Sequence, residues 1–379
     1  MSNKLMGILT IHRSMKSLFA LLLLTHSANI AATELNFSKD QLEQRWADRI
    51  EKLLETDKLP LIDLQTSLKS EQIKQFIPDA FDVFDEIGIA LMAADGYQRP
   101  KDGSKGYRWS NYILELVNDH PDYFIPTTNG GTNSNWLKQK GEDERHYIDQ
   151  LEHEVRSGRY RVMGELDFRH YMSSIQCSRG RNDRDNAIPL SSPNGHRLFA
   201  LSAERGIPFS IHLEAEDREL TELERMLRQY PKAKVIVSHF GQLRHPEKQR
   251  RFTPRYVRHL LNSYPNLFFD LAIGHPNRQY QCAGPDNNRL LEGDTVIWMG
   301  SEGNQKKRVR TEYLAIFKEF DRRFVFASDY GGGRAPLTRH LREKVDNFRD
   351  IIRDLPEKAR HQFAYRNAWR LLTGREWNR

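Results

Sequence analysis

Eight short apolar runs, each followed by a stretch of helical periodicity, constrain this chain more than any other feature it has. The runs are PLIDLQ (60–65), IALMAA (89–94), YFIPTTN (123–129), RVMGEL (161–166), PFSIHL (208–213), KVIVSH (234–239), LFFDLA (267–272) and RFVFAS (323–328). Each is apolar on both faces, as a strand must be when helices cover one side and a packed interior the other. Several of the intervening helical segments stop at Gly, or at a Tyr-Pro or His-Pro pair, just before the next run. Eight such units in succession predict an α/β chain closed into a parallel (β/α)8 TIM barrel; an open doubly wound sheet is the alternative, because periodicity does not report closure.

A barrel of this kind needs about 250 residues, and the chain has 379. The excess falls in identifiable places. An amphipathic helix is expected over 36–56, with Trp46, Ile50 and Leu53 at helical spacing. Long loops follow the fourth run (about 167–193) and the seventh (273 to about 310), and two helices near 338–353 and 356–372 close the chain. Long loops after barrel strands lie on the C-terminal rim, where barrel enzymes build their sites.

Residues 1–32 read as a secretory signal peptide. Lys4, Arg13 and Lys16 precede the apolar run Leu18–Leu24, and small residues follow up to Ala32. The run is far short of the ~20 residues a membrane span requires. The expected organisation is therefore a leader (1–32), an N-terminal helical extension (33–58) and the barrel (59–379), exported to the periplasm or secreted. Net charge is +7, and the three leader cations leave about +4 on the mature chain. Basic residues are scattered and not interleaved with aromatics, which argues against nucleic-acid binding. The two cysteines, Cys177 and Cys282, both fall in the long loops and have no metal-site spacing.

The strand ends carry the chemistry. Glu165 closes the fourth run, His212 the fifth and His239 the sixth, and Asp329 follows the eighth. Ionisable groups at such positions require a charge partner, a hydrogen bond or a metal. Two neutral imidazoles and a carboxylate suit one divalent ion, Zn²⁺ above all, with a position left for water. Asp329 is then placed to move protons. Gln65, Arg169 and His170 fall on the same rim as substrate-binding candidates, with Tyr171, Asn129 and Arg99 nearby, while Asp63 reads as a structural carboxylate within the first strand.

Several segments resemble the amidohydrolase superfamily, in its amidohydrolase-related branch: PLIDLQTSL, MGELDFRHY, FSIHLEA, VIVSHFGQ, FFDLA, FVFASDYGG and the closing AYRNAWRLLTG. The resemblance spans roughly Leu59 to Gly374. It implies metal binding by His212 and His239, a fourth-strand carboxylate ligand at Glu165, and a proton-shuttling Asp329. It also exposes a departure, since Gln65 and Ser67 stand where a first-strand His-x-His pair usually holds a metal. A subgroup of sugar-amide deacetylases is similar in replacing that pair and keeping a single metal. The resemblance thus implies a metal-dependent hydrolase cleaving a C–N or C–O bond of a small molecule, and the leader implies that it is exported. The alternatives it leaves are a metal-independent lactonase or decarboxylase-like enzyme, or a barrel that only binds its ligand.

Overall fold

The computed structural model describes residues 34–67, 80–94, 111–131, 146–245, 247–274, 294–299, 307–331 and 337–379. The expected leader and Arg99 lie outside these residues, as does most of the loop after the seventh strand. Leu35–Arg379 forms one unit. Within it the first strand is Leu61–Ser67, the second Ile89–Ala94, the fourth Met163–His170, the fifth Pro208–Leu213, the sixth Lys234–Val237, the seventh Leu267–Asp270 and the eighth Phe324–Val325. All pairings among these strands are parallel.

The third run is the weak stave. It contributes single-residue parallel bridges, Met92 to Phe124, Thr127 to Val162 and Gly131 to Leu166, in place of a continuous ladder. Pro126 sits in its middle and has no N–H to donate. Backbone bonds nevertheless carry the ring through it, from Ile125 N to Met92 O (3.0 Å) on one side and from Arg161 N to Pro126 O (2.8 Å) on the other. The ring closes where Leu64 N meets Phe326 O (3.4 Å), Asp329 N donates to Gln65 O (3.0 Å) and Thr66 pairs with Tyr330. The barrel expected from the periodicity is therefore present. The seven strands given ranges above are buried at almost every position whose burial is described, Lys234 being partly exposed.

The N-terminal helix Lys39–Glu55 starts at Ser38, which exchanges hydrogen bonds with Gln41 in a capping box. Leu42, Trp46 and Ile50 are fully buried. Arg49 reaches the carbonyls of Ile89 (3.1 Å) and Ala90 (3.3 Å), which places this helix at the N-terminal end of the second strand, opposite the functional rim. The extension is thus part of the core. Trp46→Ala should cost about 3–5 kcal/mol of stability by chemical denaturation; a loss below about 1 kcal/mol would mean that the helix is dispensable. Two helical stretches, Leu337–Ile352 and Glu357–Thr373, close the chain as expected. Among the described residues no helix is long and apolar enough to cross a membrane.

Candidate metal centre

Three staves deliver one cluster. Glu165 comes from the fourth strand, His212 from the fifth, and His239 from the turn just past the sixth. Their ligand atoms all lie within 4.8 Å of one another. The Oε1 atom of Glu165 is the meeting point: His212 Nδ1 is 3.2 Å from it and His239 Nε2 is 3.3 Å from it. All three side chains are buried.

The surroundings fix one ring clearly. His239 Nδ1 lies 2.8 Å from the Ala272 carbonyl, which only accepts, so Nδ1 keeps a proton and Nε2 is left to face the centre. The backbone is committed as well. His239 has φ 61° and Asp329 φ 46°, and only Asp57 joins them as a described non-glycine residue in the left-handed region. Such a conformation costs about 1–3 kcal/mol and persists where neighbours over-determine it. Here His239 N donates to the Asp270 carboxylate at 2.8 Å, and Asp329 N to Gln65 O at 3.0 Å.

Electrostatics follow from that packing. Burial pushes Glu165 upward, but hydrogen bonds and charge from His212 and His239 outweigh it and hold the carboxyl well below its usual range. Burial pulls His239 down, yet Glu165 first and then Asp329 bring its imidazole up to about 10. His212 is raised in the same way by Glu165 and Glu214, against burial. The chemistry of this donor set, two ring nitrogens and one carboxylate oxygen converging in a buried pocket, fits a divalent ion whose binding would displace the imidazolium protons.

The other candidate residues fall into two groups. Asp329 is half-exposed beside Lys344 (3.8 Å) and is not one of the three converging ligands, although its charge acts on His239. Gln65 is 3% exposed, and neither side-chain atom of its carboxamide has a partner among the described residues. It lies two residues beyond Asp63 and so on the same, inward face of the first strand.

Arg169 and His170 are more committed. Arg169 is tied to Asp185 and Glu216, each at 2.8 Å, and lies over the Tyr171 ring at 3.4 Å, so the structure gives it bracing partners within the protein. His170 lies with its ring 4.3 Å from that of His212 and Nδ1 2.6 Å from the Arg184 carbonyl. Burial first, and then the charges of His212 and Arg244, hold it neutral. Cys177 is disulfide-bonded; the other cysteine of the chain, Cys282, lies outside the described residues.

Two residues of the centre escape the strand-end pattern. Glu214 is 3% exposed and 3.4 Å from His212 Nε2, and Asp270 holds His239 N. Period-two alternation is the available signal for Glu214, since it follows His212 by two and shares its face. Asp63 behaves as the structural carboxylate expected, accepting from Gln65 N (3.1 Å) and Ser328 N (2.9 Å).

Burial pushes the Asp63 carboxyl up to about 7, against the hydrogen bonds from Ser328 and Gln65. Its unfolded value is about 3.9, so the folded chain binds the extra proton between roughly pH 4 and 7, and stability falls as pH rises through that window. The whole effect is about 4 kcal/mol. Asp63→Asn keeps an acceptor for both N–H groups and never ionises. It should therefore gain on the wild type between pH 4 and pH 8 in urea denaturation of the metal-free protein. A difference that does not change with pH would show that Asp63 ionises as easily folded as unfolded.

Residues 148–373 match the family model for amidohydrolases. No curated protein sequence matches the chain. Among solved structures, it is similar to 4-oxalomesaconate hydratase from Rhodopseudomonas palustris, at 17% identity over 87% of this chain and 91% of that one (TM-score 0.43). It is also similar to 2,6-dihydroxybenzoate decarboxylase from Rhizobium, at 11% identity over 83% and 98% of the two chains (TM-score 0.45). A third is a probable 2-pyrone-4,6-dicarboxylic acid hydrolase from Acinetobacter baumannii, at 14% identity over 83% and 99% (TM-score 0.45).

Proposed function

The chain belongs to the amidohydrolase family and is an enzyme of that type, and from that premise we propose that it hydrolyses a C–N or C–O bond of a small molecule with the help of one divalent metal, zinc. The observation that carries this reading is the meeting of His212 Nδ1, His239 Nε2 and Glu165 Oε1 in one buried pocket. These residues would hold the ion. When bound, it supplies Lewis acidity, polarising the scissile carbonyl and making a water acidic enough to attack near neutral pH. Nitrogen-rich donor sets of this kind favour zinc over calcium or magnesium.

The other residues divide the remaining work. Asp329, half-exposed and beside Lys344, is open to solvent on one side and coupled to His239 on the other. It takes the proton of the attacking water and returns it to the leaving group. Gln65 offers an unpartnered donor and acceptor from the opposite side of the barrel, which suits it to orient the substrate. His170, held neutral beside His212, offers the same pocket an uncharged imidazole.

Elemental analysis tests the reading directly. Purified protein should carry about one zinc per chain, and chelation should remove both the metal and the hydrolysis of whichever amides or lactones the wild type turns over. Activity undiminished in metal-free protein would sink it. One observation favours a second, metal-independent reading: Glu165 is already balanced by two imidazoles whose protons it stabilises. Hydrolysis or decarboxylation that survives chelation would support that alternative. We further propose export through the N-terminal leader, supported by its basic, apolar and small-residue segments. N-terminal sequencing of the exported protein should begin at Thr33, and an intact leader on the mature chain would refute it.

A further inference from the structure

We infer that Glu214 is a positioning residue for His212: its carboxylate holds the outer ring nitrogen and so decides which nitrogen of that imidazole faces the metal. The inference rests on the metal centre proposed above.

The geometry around Glu165 Oε1 orients both rings. His212 approaches it through Nδ1 (3.2 Å) and His239 through Nε2 (3.3 Å), so each ring turns its other nitrogen away from the centre. For His239 the outer atom is Nδ1, and the Ala272 carbonyl receives its proton. For His212 the outer atom is Nε2, 3.4 Å from Glu214 Oε1. A carboxylate, like a carbonyl, only accepts. With an ion held at the Glu165 side, Nδ1 would give it the lone pair, and the one remaining ring proton would stay on Nε2, facing Glu214. The two ligand imidazoles present opposite nitrogens to one ion, each because of what lies behind it.

Glu214 is itself held. It is buried, with Arg244 Nε 3.0 Å from Oε1 and Gln249 Nε2 3.5 Å from Oε2. Arg244 also donates to the Tyr171 carbonyl. It comes from the segment that begins at His239, so the residue bracing the support of one ligand lies five positions beyond the other ligand. A charged acceptor behind a ligand imidazole raises its basicity and fixes its ring orientation, and removing such a partner typically weakens metal affinity by about 10–100-fold.

Two measurements separate this from a purely structural ion pair with Arg244. In zinc-loaded, ¹⁵N-histidine-labelled wild type, NMR should show one ligand ring bound through Nδ1 with its proton on Nε2, and the other the reverse. Two rings bound through Nε2 would overturn the inference. In the second measurement, zinc is titrated into metal-free variants against a chromogenic chelator. Glu214→Leu should bind about 10–100-fold more weakly, and Glu214→Gln, whose carbonyl still accepts from Nε2–H, should recover most of that loss. Melting of the metal-free proteins reads the fold separately, and if Glu214→Leu does not fold, the wild-type NMR result decides. Equal affinity in Glu214→Leu and wild type, or equal weakening in the Leu and Gln variants, would leave Glu214 serving Arg244 alone. Wild type that takes up no zinc would remove the metal centre as well; stoichiometric zinc with indifferent Glu214 variants would remove only this role.

Discussion

Glu165→Gln should strip the purified protein of its metal and lower turnover by about 10³-fold or more, equivalent to roughly 4 kcal/mol of transition-state stabilisation. The Glu165 carboxylate oxygen lies within 3.3 Å of both imidazoles, so removing its charge removes the anchor of the cluster. Gln is nearly isosteric, and no cavity is created. The same carboxylate is the first of the groups that raise the two imidazoles; without it burial favours their neutral forms, so the fold should survive. Zinc content by elemental analysis, circular dichroism and turnover together make the test. Full zinc occupancy in Glu165→Gln would mean that the metal sits elsewhere.

Asp329→Asn should separate metal binding from catalysis. Asp329 is not among the three converging ligand atoms, so the variant should keep its zinc. Loss of a positioned proton-transfer group typically costs about 10²–10⁴ in rate. The loss should appear in kcat more than in KM. Unchanged turnover would assign proton transfer to another group. Loss of zinc together with activity would make Asp329 a ligand instead.

Much of this site is legible in the amino-acid sequence, for a physical reason. A barrel strand buried on both faces has almost no polar residues, so Glu165, His212 and His239 stand out at the ends of RVMGEL, PFSIHL and KVIVSH. The third stave shows where local pattern reaches its limit. YFIPTTN has the composition of a strand, but Pro126 interrupts the ladder, and neighbouring staves hold the segment in place through isolated bonds.

Arg169 is the instructive case among the rim residues. Its position after Glu165 suggests a substrate carboxylate as its partner, and the chain instead brings Asp185 and Glu216 to it from 16 and 47 residues away. No sequence spacing announces such partners, because ion pairs on a rim are made by loops whose paths the local pattern does not specify. Glu214 carries the same lesson in reverse: its face is predictable by alternation, but its value lies in being 3.4 Å from one particular ring nitrogen.

The order and burial of the eight staves, and the types of group at their ends, are properties of the sequence alone, since each depends on apolar periodicity over a few residues. What the tertiary structure alone decided is which nitrogen of each imidazole turns inward and which charges are already spent on the protein. Those outcomes depend on hydrogen-bond partners separated by tens of residues, and only the closing of the barrel brings them within reach.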